Sequence, residues 1–146
     1  MKRAFLTIVA ALASLVVLAS CDNDEKHLDY NELPNVAKSF INNHFGDNEV
    51  RSVIKEYDDL TYHYEVYLTD GTKIEFNKNG EWREVENRVE GVPTSILPAG
   101  IISYVQENYG SYFIVSVERD RQYDIELNND LDLDFTLDGD FIRVDY

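Results

Sequence analysis

The chain has 146 residues, 44% of them apolar, one Cys, one Trp, and a formal charge of −15 from 13 basic and 28 acidic residues. Its length allows one domain or two very small ones, and its apolar content is that of a folded protein. The acidity argues against a nucleic-acid binder and equally against adhesion to anionic lipid through the protein's own surface, while a single Cys excludes an internal disulfide or a Cys-based zinc cluster.

Residues 1–20 begin Met-Lys-Arg, run apolar from Ala4 to Leu18, and end in small residues before Cys21. A basic start, a short apolar stretch and small residues make a secretory signal, and the run is short of the roughly 20 residues a membrane span needs. The stretch Leu18-Ala19-Ser20-Cys21 resembles a bacterial lipobox. That resemblance implies lipidation at Cys21 and cleavage just before it; the alternative is a plain secreted protein with an incidental Cys. Two or three acyl chains would anchor the protein stably, at about 0.8 kcal/mol per buried CH₂. Loss of Lys2 and Arg3 with the signal takes the charge to −17.

Asp22-Asn23-Asp24-Glu25 follows the Cys directly. It resembles the signal that sends some Bacteroidetes lipoproteins to the outer face of the outer membrane; the alternative is a solvated acidic tether. Residues 21–32 lack apolar periodicity and are expected to form that tether. The expected location is the bacterial envelope, lipid-anchored at the outer membrane, periplasmic or surface-exposed.

Two segments open alike, Leu33-Pro34 and Leu97-Pro98, and close alike, Phe45-Gly46 and Tyr109-Gly110, at an offset of 64. Beyond them the offset falls to 59, pairing Tyr64 with Tyr123, Val66 with Ile125, Phe76 with Phe135 and Trp82 with Phe141. The matches predict two repeats, 33–89 and 97–146, bridged by 90–96. In each, Pro suits a helix start, apolar residues recur at helical spacing, and Gly suits a left-handed helix end. Alternating strands follow, with Asp70-Gly71, Asn79-Gly80, Asn129-Asp130 and Asp138-Gly139 as two-residue turns of positive φ. The predicted class is α+β: a tandem duplication of a helix plus four-stranded antiparallel meander, with the helices on one face of a curved antiparallel sheet.

Leu-Pro opening an amphipathic helix, an aromatic-Gly helix end, and hairpins at Asp-Gly and Asn-Gly resemble the PepSY-like, β-lactamase-inhibitor-like domain proteins of Bacteroidetes envelopes. The resemblance covers roughly residues 31–146 and implies a single domain over 33–146. Its motifs are structural, and the family carries no catalytic residues to transfer.

The densest polar cluster is Asp130, Asp132 and Asp134, followed by Asp138 and Asp140. It is not an EF-hand, since Phe135 and Phe141 stand where Gly and Glu are required. Two readings remain: a solvated strand face, or a cation site built on Asp130, Asp132 and Asp134. No nucleophile elbow exists, and none of His27, His44 and His63 has a partner that nominates catalysis. No cofactor is expected, and the protein is read as no enzyme.

Alternation places His63, Glu65 and Tyr67 on the polar strand face, and Trp82 and Phe141 start strands just after tight turns. These five are the candidate docking residues, because aromatics supply contact area at small entropic cost. The leading expectation is a non-enzymatic envelope module that docks or inhibits an unidentified envelope protein through its open sheet face, touching membrane only through its N-terminal lipid and binding no nucleic acid. The alternative is a cation- or small-ligand-binding envelope protein using the carboxylates between Asp130 and Asp140.

Overall fold

The structure, a computed structural model, describes residues 25–46, 48–58 and 60–145. In chain order it runs β1 (Glu25–Leu28), α1 (Asn35–Phe45), β2 (Val50–Asp58), β3 (Thr61–Leu68), β4 (Lys73–Asn77) and β5 (Trp82–Glu86). There follow α2 (Ala99–Tyr109), β6 (Ile114–Arg119), β7 (Tyr123–Leu127), β8 (Asp132–Phe135) and β9 (Phe141–Asp145). Two short 3₁₀ turns, at Tyr30–Glu32 and Thr94–Ile96, lead towards the helices.

The tandem helix-plus-four-strand description is overturned. All nine strands form one antiparallel sheet, each paired with its neighbours in sequence, and the two helices are short. The joint is β5 with β6, where Glu84, Val85 and Glu86 stand opposite Glu118, Val117 and Ser116. Left unpaired, each of those strands would present a bare row of N–H and C=O groups. The segment expected to be a tether supplies the first strand, with Lys26 and Leu28 opposite Lys55 and Val53.

One row of side chains crosses the whole sheet. Leu28, Val53, Val66, Ile74, Val85, Val117, Ile125, Leu133 and Val144 stand in register, one from each strand. Ala37, Ile41 and Phe45 of α1 and Ile101 and Val105 of α2 are buried in the same core as this row. At about 25 cal/mol per Å² of apolar area, burial along this face is the main source of stability.

Both helices begin after a Pro, Pro34 and Pro98, which stand at the N-cap positions. Each Pro packs on a turn from the sheet. Gly80 (φ +83°) lies so close that a Cβ there would stand 2.7 Å from the Pro34 Cβ, and Gly139 (φ +92°) meets Pro98 in the same way at 2.8 Å. The helix ends differ from expectation, since Gly46 and Gly110 keep right-handed φ of −55° and −61°. The four hairpin turns differ too. Only one residue in each has positive φ, namely Gly71, Gly80, Asp130 and Gly139. Each loop therefore has three residues: Gly71 N–H bonds Leu68 O and Leu68 N–H bonds Thr72 O, a pattern repeated at Asn77, Leu127 and Thr136. This is a type I turn closed by one left-handed residue, whose twist suits a hairpin as well as the two-residue form.

Two bulges shape the site. The register shifts between Glu75 and Phe76, so that Trp82 faces Phe76 while Glu84 faces Glu75, and between Asp134 and Phe135, so that Phe141 faces Phe135 while Arg143 faces Asp134. The extra residues, Arg83 and Ile142, return Trp82 and Phe141 to the helix-covered face.

Substituting Gly80 by Ala is expected to lower the unfolding free energy by about 1–2 kcal/mol from left-handed strain alone, with the Pro34 contact adding to it. Urea denaturation monitored by Trp82 fluorescence would measure the loss.

Candidate functional site

Successive side chains of a strand point to opposite faces. The register that aligns the aliphatic row therefore aligns a second row on the uncovered face. From β3 to β8 that row reads Glu65, Glu75, Glu84, Glu118, Asp124 and Asp134, each directly opposite the next. Arg143 follows on β9. Adjacent strands lie about 4.8 Å apart, and like charges placed opposite one another destabilise a sheet. Six carboxylates in line are a standing electrostatic load.

Towards β9 the face forms a concavity of about 520 Å³. Seven carboxylates line it, among them Glu84, Glu118, Asp124, Glu126, Asp132 and Asp134, with Arg143 as the one cationic lining residue. Asp134 is buried, and its Oδ2 sits 2.8 Å from Arg143 Nε. Arg88 reaches across from the end of β5 to grip both oxygens of Glu126, at 2.8 and 2.7 Å.

Three of the other acids, Glu84, Asp124 and Asp132, hold their protons more tightly. Burial pushes the Asp124 carboxyl up, and a hydrogen bond with Asp134 adds to this, against an opposing bond from Gln122. Burial also raises Asp132, reinforced by repulsion from Glu126 and Asp145. Burial raises Glu84 as well; Lys73 opposes that shift, while Glu75, Glu86 and Glu118 add to it.

At the β2–β4 end, His63, Glu65 and Tyr67 come together as alternation predicts. Tyr67 Oη donates to Glu65 Oε2 at 2.7 Å, and Lys73 Nζ lies 2.7 Å from Glu65 Oε1. Burial works against ionisation of Glu65, yet the bonds from Lys73 and Tyr67 outweigh it and hold the carboxyl below its ordinary value. His63 lies between two acids, with Nε2 3.4 Å from Glu56 and Nδ1 3.3 Å from Asp58.

Trp82 and Phe141 do not join this group. Trp82 is 8% exposed, stacked on Phe40 with centroids 5.6 Å apart, near Tyr123, and has the Arg119 guanidinium 4.8 Å over its ring. Phe141 stacks on Tyr104 of α2 at 4.2 Å and stays 37% exposed. Both belong to the helix side, for the bulges turn them there. Asp130 occupies a turn at φ 61°, whereas Asp132 and Asp134 reach the concavity. Cys21 lies outside the described residues.

Sequence reasoning missed Glu84 and Glu118 as site residues, because only the β5–β6 register places them in the row. A signal for the bulge was present: Trp82 and Val85 are both large and apolar at a spacing of three, which an unbroken strand cannot bury on one side.

The domain is thus a one-layer sheet with helices on one face and an acidic, uncovered second face. The chain belongs to the PepSY-like family. A family model described as "Putative beta-lactamase-inhibitor-like, PepSY-like" matches residues 62–143. Three solved structures from Bacteroides are similar over nearly their whole length. A "putative calcium-regulated periplasmic protein" of Bacteroides thetaiotaomicron is 38% identical, with TM-score 0.80, covering 84% of this chain and 98% of its own. Two periplasmic proteins of Bacteroides vulgatus are 35% and 34% identical, with TM-scores of 0.77 and 0.78. The alignments cover 86% and 84% of this chain and 99% of each of theirs. These descriptions support an envelope location for this chain. No curated protein matches it in sequence.

Two outcomes follow from the geometry. Trp82→Ala should cost about 3–5 kcal/mol, the usual loss for a large buried aromatic, and should show first as a lowered melting temperature. The raised carboxyls of Glu84, Asp124 and Asp132 bind protons better folded than unfolded, so their ionisation costs stability at neutral pH. Stability should therefore rise as pH falls from 7 through their raised folded-state values towards the ordinary carboxylate pKa of about 4. The depressed Glu65 acts oppositely and is lost only at still lower pH. Urea midpoints measured between pH 7 and 4 would test this, and a monotonic fall on acidification would contradict it.

Proposed function

We propose that this protein is a lipid-anchored, non-enzymatic binding module of the bacterial envelope that docks, and thereby inhibits, a basic protein partner through its open sheet face. The observation that carries this reading is the six-carboxylate row. Lys73 and Arg143 compensate its two ends, but the acids between them lack a cation of their own, so a Lys- and Arg-rich surface would relieve repulsion that the free protein keeps. Glu65 begins that row, and His63 and Tyr67, on either side of it along β3, would frame the contact.

The anchor rests on the lipobox resemblance around Cys21. Cys21→Ser should abolish labelling by a fatty-acid analogue and move the protein from the membrane fraction to the soluble one; retention on the membrane would argue against the anchor.

Docking is tested by capture from native envelope extract, comparing wild type with Glu84→Gln/Glu118→Gln/Asp124→Asn. A partner held by wild type at low salt, released at high salt and lost from the triple variant is expected. Equal recovery by both proteins would exclude the face.

A second reading has its own support. The B. thetaiotaomicron relative is described as calcium-regulated, and the concavity offers the all-oxygen donors that Ca²⁺ prefers. On this reading Asp132 and Asp134 act with Asp124 and Glu126, and not with Asp130. Millimolar Ca²⁺ would raise the wild-type melting temperature but not that of Asp124→Asn/Asp132→Asn. Equal behaviour of the two would leave the docking reading alone.

A further inference from the structure

The other end of the open face carries a donor set of different chemistry. His63 and Glu65 are two apart on β3 and so share a face, and Glu56 on β2 stands directly opposite His63. One ligand atom from each of the three lies within 4.8 Å of the others, and all three residues are half-buried. We infer that Glu56, His63 and Glu65 form a three-ligand site for a divalent transition-metal ion of the zinc class.

The geometry supports a nitrogen-bound ion. His63 Nε2 lies 3.4 Å from a Glu56 carboxylate oxygen and Nδ1 lies 3.3 Å from an Asp58 oxygen, so each ring nitrogen faces a carboxylate. An ion bound through Nε2 would meet the Glu56 oxygen on the same side of the ring. Tetrahedral coordination with bonds of about 2.0–2.1 Å separates neighbouring ligand atoms by roughly 3.3–3.4 Å, as between His63 Nε2 and Glu56, and the Glu65 oxygen, within 4.8 Å of both, would have to close in. Asp58 then plays the part that a carboxylate commonly plays behind a ligating His, fixing its tautomer and orientation. Tyr67 and Lys73 hold Glu65, and a carboxylate oxygen that accepts one hydrogen bond retains a second lone pair.

One nitrogen and two carboxylate donors suit zinc and its neighbours, whereas Ca²⁺ wants six to eight oxygens. The site therefore stands apart from the carboxylates between Glu84 and Asp145, in position and in ion preference. With three protein ligands, a fourth position is left for water or for a donor from a docked partner.

The test is Zn²⁺ titration of the metal-stripped full-length protein in detergent against a chromophoric chelator, with Co²⁺ as a spectroscopic probe. One equivalent should bind, with tetrahedral Co²⁺ absorption. His63→Gln and Glu56→Gln should each weaken binding at least tenfold while melting near wild type, and Asp124→Asn/Asp132→Asn should leave it unchanged. Absence of Zn²⁺ binding, equal binding by both single variants, or a hundredfold excess of Ca²⁺ displacing the Zn²⁺ would overturn the site. None of these results bears on partner capture by the acidic row, so the two proposals fail separately.

Discussion

The structure depends on one consequence of strand geometry: a register that aligns side chains on one face also aligns their neighbours on the other. Nine aliphatic residues from Leu28 to Val144 need a common line under the two helices. Meeting that need puts six acids from Glu65 to Asp134 in line on the open side. A slip of one residue at any strand pair would relieve the repulsion only by exposing the aliphatic row, so hydrophobic burial decides the register and the charges follow.

The load on the acidic row is relieved locally, and unevenly. Lys73 neutralises Glu65 at one end and Arg143 meets Asp134 at the other. Arg88 spans Glu86 and Glu126 from beside the row. Between these clamps, Glu84 and Asp124 answer with raised proton affinity, the response expected of carboxyls that are partly buried and poorly compensated. Such perturbed groups mark functional faces when they gather in a concavity, although ion-pair networks perturb them too. Here the two coincide, because Glu84, Asp124 and Asp132 line the same concavity as the Asp134–Arg143 pair.

How far the sequence foretold this can be judged residue by residue. Apolar spacing located α1 and α2, and period-two alternation assigned Tyr64, Val66 and Leu68 to the core and His63, Glu65 and Tyr67 to the open face. These are local signals. The pairing of β5 with β6 is not local: the segment between them contains α2, and nothing in either strand names the other as its neighbour. A common curved sheet was expected, but the likeness of the halves led to a division into two helix-plus-meander units, whereas nine strands, β1 among them, pair in one sheet with two short helices. Strand β1 was hidden by composition, since Glu-Lys-His-Leu resembles a tether until the edge of β2 supplies its partner. Trp82 was misplaced for a third reason. A strand that starts after a turn is expected to alternate from its first residue, and the bulge at Arg83 breaks that count.

The same bulges explain why the open face is so nearly free of large apolar groups. Without the extra residues Arg83 and Ile142, the parity of β5 and β9 would set Trp82 and Phe141 among the carboxylates. With them, the aromatics pack on Phe40 and Tyr104 and brace the helices. What remains outside is a surface whose donors are graded by chemistry along the sheet: imidazole with carboxylates at β2–β3, and carboxylates almost alone from β5 to β9. Cations sort by ligand softness and coordination number. One register thus yields two kinds of cation environment on a single face, and a basic protein laid across the sheet would meet both.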